Sequence, residues 1–158
     1  MTWESIEILM AEDDEGDQIL VRKAFARSRA INTLTIVNDG EELMRYLRRE
    51  PPHADARRPD LLLLDLNMPK KDGREALAEI KADAGLRHLP VVILTTSDAD
   101  EDILKSYDLG ASSYIQKPVT FEKLVEVVRT LSAYWLGIVK LPPSRQTGAR
   151  PSSRAPGE

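Results

Sequence analysis

Short apolar runs alternate along this chain with longer stretches whose apolar residues recur every three or four positions. The runs, read as strands, are Ile6 to Ala11, Thr33 to Val37, Leu61 to Asp65, Val91 to Leu94 and Ser113 to Gln116. The periodic stretches predict helices over Asp17 to Arg29, Glu41 to Arg49, Gly73 to Ala82, Asp100 to Leu109 and Thr120 to about Val139. Strand and helix alternating in this way predict an α/β protein, a parallel sheet with helices on both faces. Crossovers in such sheets are right-handed, so the economical topology is a doubly wound one with strand order 2-1-3-4-5. Strands 1 and 3 then flank the point where the winding reverses, and ligands of open sheets bind at the C-terminal strand ends there.

Those ends carry chemistry. Glu12-Asp13-Asp14 follows strand 1, Asp65 ends the run Leu61-Leu62-Leu63-Leu64, Thr95-Thr96-Ser97 follows strand 4, and Lys117-Pro118 follows strand 5. Each has an ordinary explanation: Glu12 to Asp17 favour the positive end of the next helix, Asp65 closes a turn into Pro69, and Thr95 to Asp98 cap the helix from Asp100. Together they point elsewhere. A hard cation such as Mg²⁺ takes oxygen ligands and keeps several waters, and Glu12, Asp13 and Asp65 supply such oxygens. Carboxylates this close repel unless a cation or a lysine offsets them, which Lys117 and a metal would do. A nucleophilic carboxylate, a hydroxyl, an ammonium and a metal site are the parts needed to accept a phosphoryl group: Asp65, Thr95 and Lys117, with the acids.

The length of 158 residues allows one domain, expected over 1–141, with a Pro/Ser/Arg-rich tail over 142–158 that cannot bury enough apolar surface to fold alone. A hydrophobic content of 42% and a charged content of 30% are those of an ordinary globular protein. No apolar run reaches membrane-spanning length and the N-terminus lacks a signal-peptide pattern, so the expected address is cytoplasmic. With no cysteine, thiolate metal sites and cysteine nucleophiles are excluded. Net charge is −4, and the stretch from Lys140 to Glu158 holds four basic residues and one acid, so residues 1–139 carry −7, which disfavours DNA as a partner.

The motifs Ile8-Leu9-Met10-Ala11-Glu12-Asp13-Asp14, Leu63-Leu64-Asp65-Leu66-Asn67-Met68-Pro69, Asp72-Gly73, Ile93-Leu94-Thr95, Gly110-Ala111-Ser112-Ser113-Tyr114 and Lys117-Pro118 resemble those of the receiver domain of two-component response regulators, over about residues 5–139. That resemblance implies a flavodoxin-like (βα)5 fold. It implies that Asp65 is the phosphoacceptor and that Asp13 and Asp65 bind Mg²⁺ with the main-chain carbonyl of Asn67, Glu12 helping through water. It further implies that Thr95 bonds the phosphoryl group, Lys117 pairs with it, Tyr114 repositions on activation, and Asn67 and Ser97 tune dephosphorylation. Glu12 departs from the aspartate common at that position. No output domain is recognisable, so output is expected through protein contact or phosphorelay. The loop before strand 3 and the stretch Tyr134 to Pro142 resemble single-domain regulators that partner phytochrome-type histidine kinases.

Along the last helix, Phe121, Leu124, Val125, Val128, Leu131, Trp135 and Ile138 form the face expected to pack on the sheet, while Val127, Tyr134 and Leu141 recur every seven residues beside it. The widened stripe predicts a homodimer through this helix and its C-terminal extension. A different class of function, a Mg²⁺-dependent phosphohydrolase with an aspartyl nucleophile, uses similar groups. It typically needs a second aspartate two residues after the nucleophile, where this chain has Asn67.

Overall fold

In the computed structural model, residues 6–28, 32–118 and 120–133 are described. The elements run β1 (Ile6–Ala11), α1 (Glu15–Ser28), β2 (Asn32–Val37), α2 (Gly40–Leu47), β3 (Leu61–Leu64), α3 (Gly73–Ala82), β4 (Val91–Thr95), α4 (Asp100–Asp108), β5 (Ser113–Gln116) and α5 (Phe121–Ala133). The five strands form one sheet in the order β2-β1-β3-β4-β5, and every neighbouring pair is parallel. This is the order expected from the right-handed crossovers.

Two-residue alternation in the strands divides the core. Leu9, Ala11, Leu62, Leu64, Val91 and Ile93 point to one face, beneath Leu43, Met44 and Leu47 of α2 and Ala76, Leu77 and Ile80 of α3. Ile8, Met10, Leu61, Leu63, Val92 and Leu94 point to the other, beneath Val21, Ala24 and Phe25 of α1 and Leu124, Val125, Val128 and Leu131 of α5. Buried on both sides, the central strands read as unbroken apolar runs because neither face meets water.

Within the described residues, element ends differ from the sequence expectation by a residue or two, for local reasons; the end expected for the last helix, about Val139, lies outside them. α1 begins at Glu15 rather than Asp17 because the Asp14 carboxylate accepts the Asp17 N–H at 2.9 Å, satisfying one of the free amides of the first turn. β3 stops at Leu64 because Asp65 turns the chain, its Oδ1 accepting the Asn67 N–H at 3.2 Å. α3 begins where expected, at Gly73. Asp72 and Glu75 form a reciprocal capping box, and only glycine fits at 73, since a Cβ there would lie 2.1 Å from the Asp65 carbonyl oxygen.

On α5, Val127 is half-buried and packs against the core beneath α1 and α5. Tyr134 and Leu141, the other two residues of the expected interface, lie outside the described residues, as does the boundary expected at 141/142. α4 is the helix least embedded in the fold: Ser106 is its one buried residue, and Leu104 and Tyr107 are 66% and 48% exposed.

Candidate functional site: an acidic cleft at the C-terminal strand ends

Strand register sets the site. Ala11 of β1 pairs with Leu64 of β3, so Glu12 and Asp65, the next residues, emerge side by side, and the Asp65 N–H bonds the Ala11 carbonyl at 3.1 Å. Leu64 pairs with Ile93, and Thr95 pairs with Gln116; Thr95 therefore ends β4 beside Asp65, and Lys117 leaves β5 with its N–H bonded to the Thr95 carbonyl at 2.7 Å. Four strands thus deliver four functional groups to one edge.

Glu12, Asp65 and Thr95 are buried, and Asp13 is exposed at the mouth. Carboxylate oxygens of Glu12, Asp13 and Asp65 lie within 4.8 Å of one another. Such a cluster of acids is unfavourable without positive charge, and Lys117 provides it. Its Nζ pairs with Glu12 Oε1, with Asp17 Oδ2 at 2.8 Å and with Asp65 Oδ2 at 3.2 Å. Burial alone would lower the Lys117 pKa, but hydrogen bonds to Asp17 and Glu12 and the field of Asp65 outweigh it and raise the net value. Glu12 goes the other way: burial raises its pKa from 4.5 to about 7, against the opposing bonds from Lys117 and the Asp14 N–H.

The Asp65 carboxylate is oriented by two donors on one oxygen. Thr95 Oγ1 donates to Oδ1 at 2.7 Å and the Asn67 N–H donates to the same oxygen at 3.2 Å. Oδ2 is left facing Lys117. Asn67 is exposed beside the site, while Ser97 is half-buried in the loop after β4. Tyr114 is half-buried, its hydroxyl donating to the Ser97 carbonyl at 2.9 Å; burial raises its pKa, with the bond to Ser97 opposing.

The expected oxygen donors fit a hard divalent cation: three carboxylates converge, all from rigid strand ends, and a lysine offsets their charge in its absence. By sequence Asp17 is a helix-end acid, yet it is one of the three partners of Lys117. A second group was missed altogether. Arg74, on the first turn of α3, grips Asp102 of α4 with two bonds of 2.8 Å, from Nε and Nη2. The Arg74 guanidinium first and the Ser97 hydroxyl next hold Asp102 down to about 2, and Asp102 in turn raises Arg74. No local pattern signals a pair separated by 28 positions.

Residues 8–129 match the response regulator receiver domain. The chain belongs to that family. Among curated relatives, this receiver is 41% identical over 135 residues to the response regulator Rcp1 of a Synechocystis species, covering 85% of this chain and 92% of Rcp1. Among solved structures it is similar to the phosphorylated cyanobacterial phytochrome response regulator RcpA, with 45% identity, a TM-score of 0.84, and coverage of 89% of this chain and 100% of the other. The Mn²⁺-bound form of Rcp1 gives 40% identity and a TM-score of 0.81, over 87% of this chain and 99% of that one.

Proposed function

We propose that the chain is a phosphorylation switch: Asp65 accepts a phosphoryl group from a phosphohistidine of a sensor kinase, and the change is read by a protein partner. The observation that carries this reading is the placement of the Asp65 carboxylate between Thr95 and Lys117, with the Glu12 and Asp13 oxygens beside it. In the transfer, an Asp65 oxygen bonds to phosphorus as the phosphorus–nitrogen bond of the donor breaks, and the histidine leaves with its electron pair. Lys117 stands where negative charge on the transferring oxygens builds up, and Thr95 offers a hydroxyl to one of them once it leaves Asp65. Mg²⁺ held by Asp13, Asp65 and the Asn67 main-chain carbonyl, with Glu12 helping through water, would supply further charge neutralisation. Water attack on phosphorus breaks its bond to the Asp65 oxygen, releasing inorganic phosphate and returning Asp65 to the carboxylate, with Asn67 and Ser97 at the positions that would tune this step.

Similarity to phytochrome-associated regulators supports a phytochrome-type histidine kinase as the donor. The surface next to the cleft suits a protein: Ile19 and Leu20 on α1 are 49% and 41% exposed, and Leu20 borders a cavity of about 110 Å³ shared with Asp17, Lys117 and Phe121. The spacing of Val127, Tyr134 and Leu141 supports self-association through the last helix. A phosphohydrolase has less support, since Asn67 cannot protonate a leaving group. Transfer of label from a phosphorylated phytochrome-type kinase to the wild type and not to Asp65→Asn tests the acceptor and the donor together. Absence of transfer to the wild type would overturn the choice of donor.

A further inference from the structure

The loop after β4 is tied down from outside the site. Ser97 lies two residues beyond Thr95, and both ends of its polar surface are engaged: its hydroxyl donates to Asp102 Oδ2 at 2.7 Å, and its carbonyl accepts the Tyr114 hydroxyl at 2.9 Å. Asp102 is itself fixed by the two bonds from Arg74, and Arg74 reaches back with Nη1 to the Leu66 carbonyl at 3.3 Å. One end of this chain of contacts is rigid, because α3 buries Ala76, Leu77 and Ile80 and starts against the Asp65 carbonyl. The other end is not. α4 buries only Ser106, and its N-cap, Ala99, makes no side-chain capping bond, so the placement of its first turn depends on polar contacts at that end.

We propose that Arg74 is a positioning residue for the phosphorylation site: paired with Asp102, it latches Ser97, and through it Thr95 and Tyr114, in the resting arrangement. The inference rests on the reading of Asp65 as phosphoacceptor. Thr95 now donates to Asp65 Oδ1. To follow an oxygen of a phosphoryl group added there, it has to carry the loop with it, and Ser97 then has to part from Asp102 or draw α4 along. Because Asp102 is bidentately bound to an arginine on the rigid side, the resting state is favoured by a geometry-specific, charge-assisted contact that the site itself does not contain. Release of the latch therefore lowers the work of reaching the phosphorylated arrangement, and where it is released at Asp102 the carboxylates of the site and Lys117 are left in place.

The test uses the full chain with Mg²⁺ and acetyl phosphate, comparing the wild type, Asp102→Ala, Arg74→Ala and the double variant. Each single variant is expected to be phosphorylated at least about five-fold faster than the wild type, the lower end of typical coupling between sites. For Asp102→Ala, whose side chain touches none of the proposed metal ligands, affinity for Mg²⁺ in the absence of phosphodonor should stay unchanged. The double variant should be no faster than either single one, since both remove the same latch. A purely structural role would lower thermal stability without accelerating the reaction. Equal or slower phosphorylation in both single variants, or additive effects in the double variant, overturns the latch. No uptake by the wild type overturns the phosphoacceptor reading and the latch with it, whereas uptake by the wild type without acceleration in the variants overturns the latch alone.

Discussion

Replacing Glu12 with glutamine isolates the effect of a buried carboxylate on the metal-free receiver. Glu12 is completely buried, and burial raises its pKa from 4.5 to about 7 despite the bonds from Lys117 and the Asp14 N–H. In the unfolded chain the group loses its proton near 4.5, whereas in the folded chain it keeps it to about 7. Between those values the folded state binds more protons, so stability falls as pH rises through the window and levels off above it. At about 1.4 kcal/mol per pH unit the window amounts to about 3 kcal/mol. Glutamine does not titrate, so this fall should vanish in Glu12→Gln. Above the window the variant gains that amount less the loss of a hydrogen bond, because its single carbonyl cannot serve both Lys117 and the Asp14 N–H, about 1–3 kcal/mol. Urea unfolding of both proteins in EDTA, from about pH 5 to about pH 8, reads the difference directly. Added Mg²⁺ should flatten the wild-type curve, since a bound cation favours the charged carboxylate. Parallel pH profiles for the two proteins in EDTA would refute the reasoning.

Asp13→Ala should lose Mg²⁺-dependent phosphorylation while remaining folded, as Asp13 is an exposed carboxylate of the proposed metal site with no part in the core; calorimetric Mg²⁺ titration checks the first outcome and circular dichroism the second. Ser97→Arg, at the position that the family resemblance assigns to dephosphorylation tuning, should lengthen the lifetime of the phosphorylated state by adding bulk in the loop after β4 that obstructs in-line water; an equal or faster loss of phosphate counts against the gating. If the last helix and its extension form a homodimer, Tyr134→Glu/Leu141→Glu should sediment as a monomer at concentrations where the wild type is dimeric. A wild type that stays monomeric with and without phosphodonor removes the interface.

The strand pattern was legible because burial on both sheet faces leaves little room for polar residues inside Leu61 to Leu64 or Val91 to Leu94. Once the strand order follows from handed crossovers, Asp65, Thr95 and Lys117 must meet, since each directly follows or ends its strand. The site was therefore readable as a set of strand ends without any knowledge of side-chain geometry. What the sequence concealed were the contacts made by helices crossing one another. Asp17 looks like any acid in a first turn, and its bond to Lys117 depends on where the start of α1 sits relative to the C-terminal end of β5. Arg74 and Asp102 sit on different helices whose amphipathic patterns say only that they are not buried, and α4 carries so little apolar surface that its position could not be inferred from its stripe. An ordinary structural role and a place in the cleft also coexist. Asp14 caps α1 as an acid at that position should, and Asp65 turns its chain while standing in the cleft.

Phosphoryl transfer to Asp65 is read out by intact-mass measurement after incubation with Mg²⁺ and acetyl phosphate. The wild type should gain the mass of one phosphoryl group, lose it on standing or in mild base as an acyl phosphate does, and fail to gain it in EDTA. Asp65→Asn, which keeps the shape of the site and removes the nucleophile, should gain nothing. Uptake by Asp65→Asn equal to that of the wild type, or no uptake by a folded wild type that binds Mg²⁺, would rule out Asp65 as the phosphoacceptor.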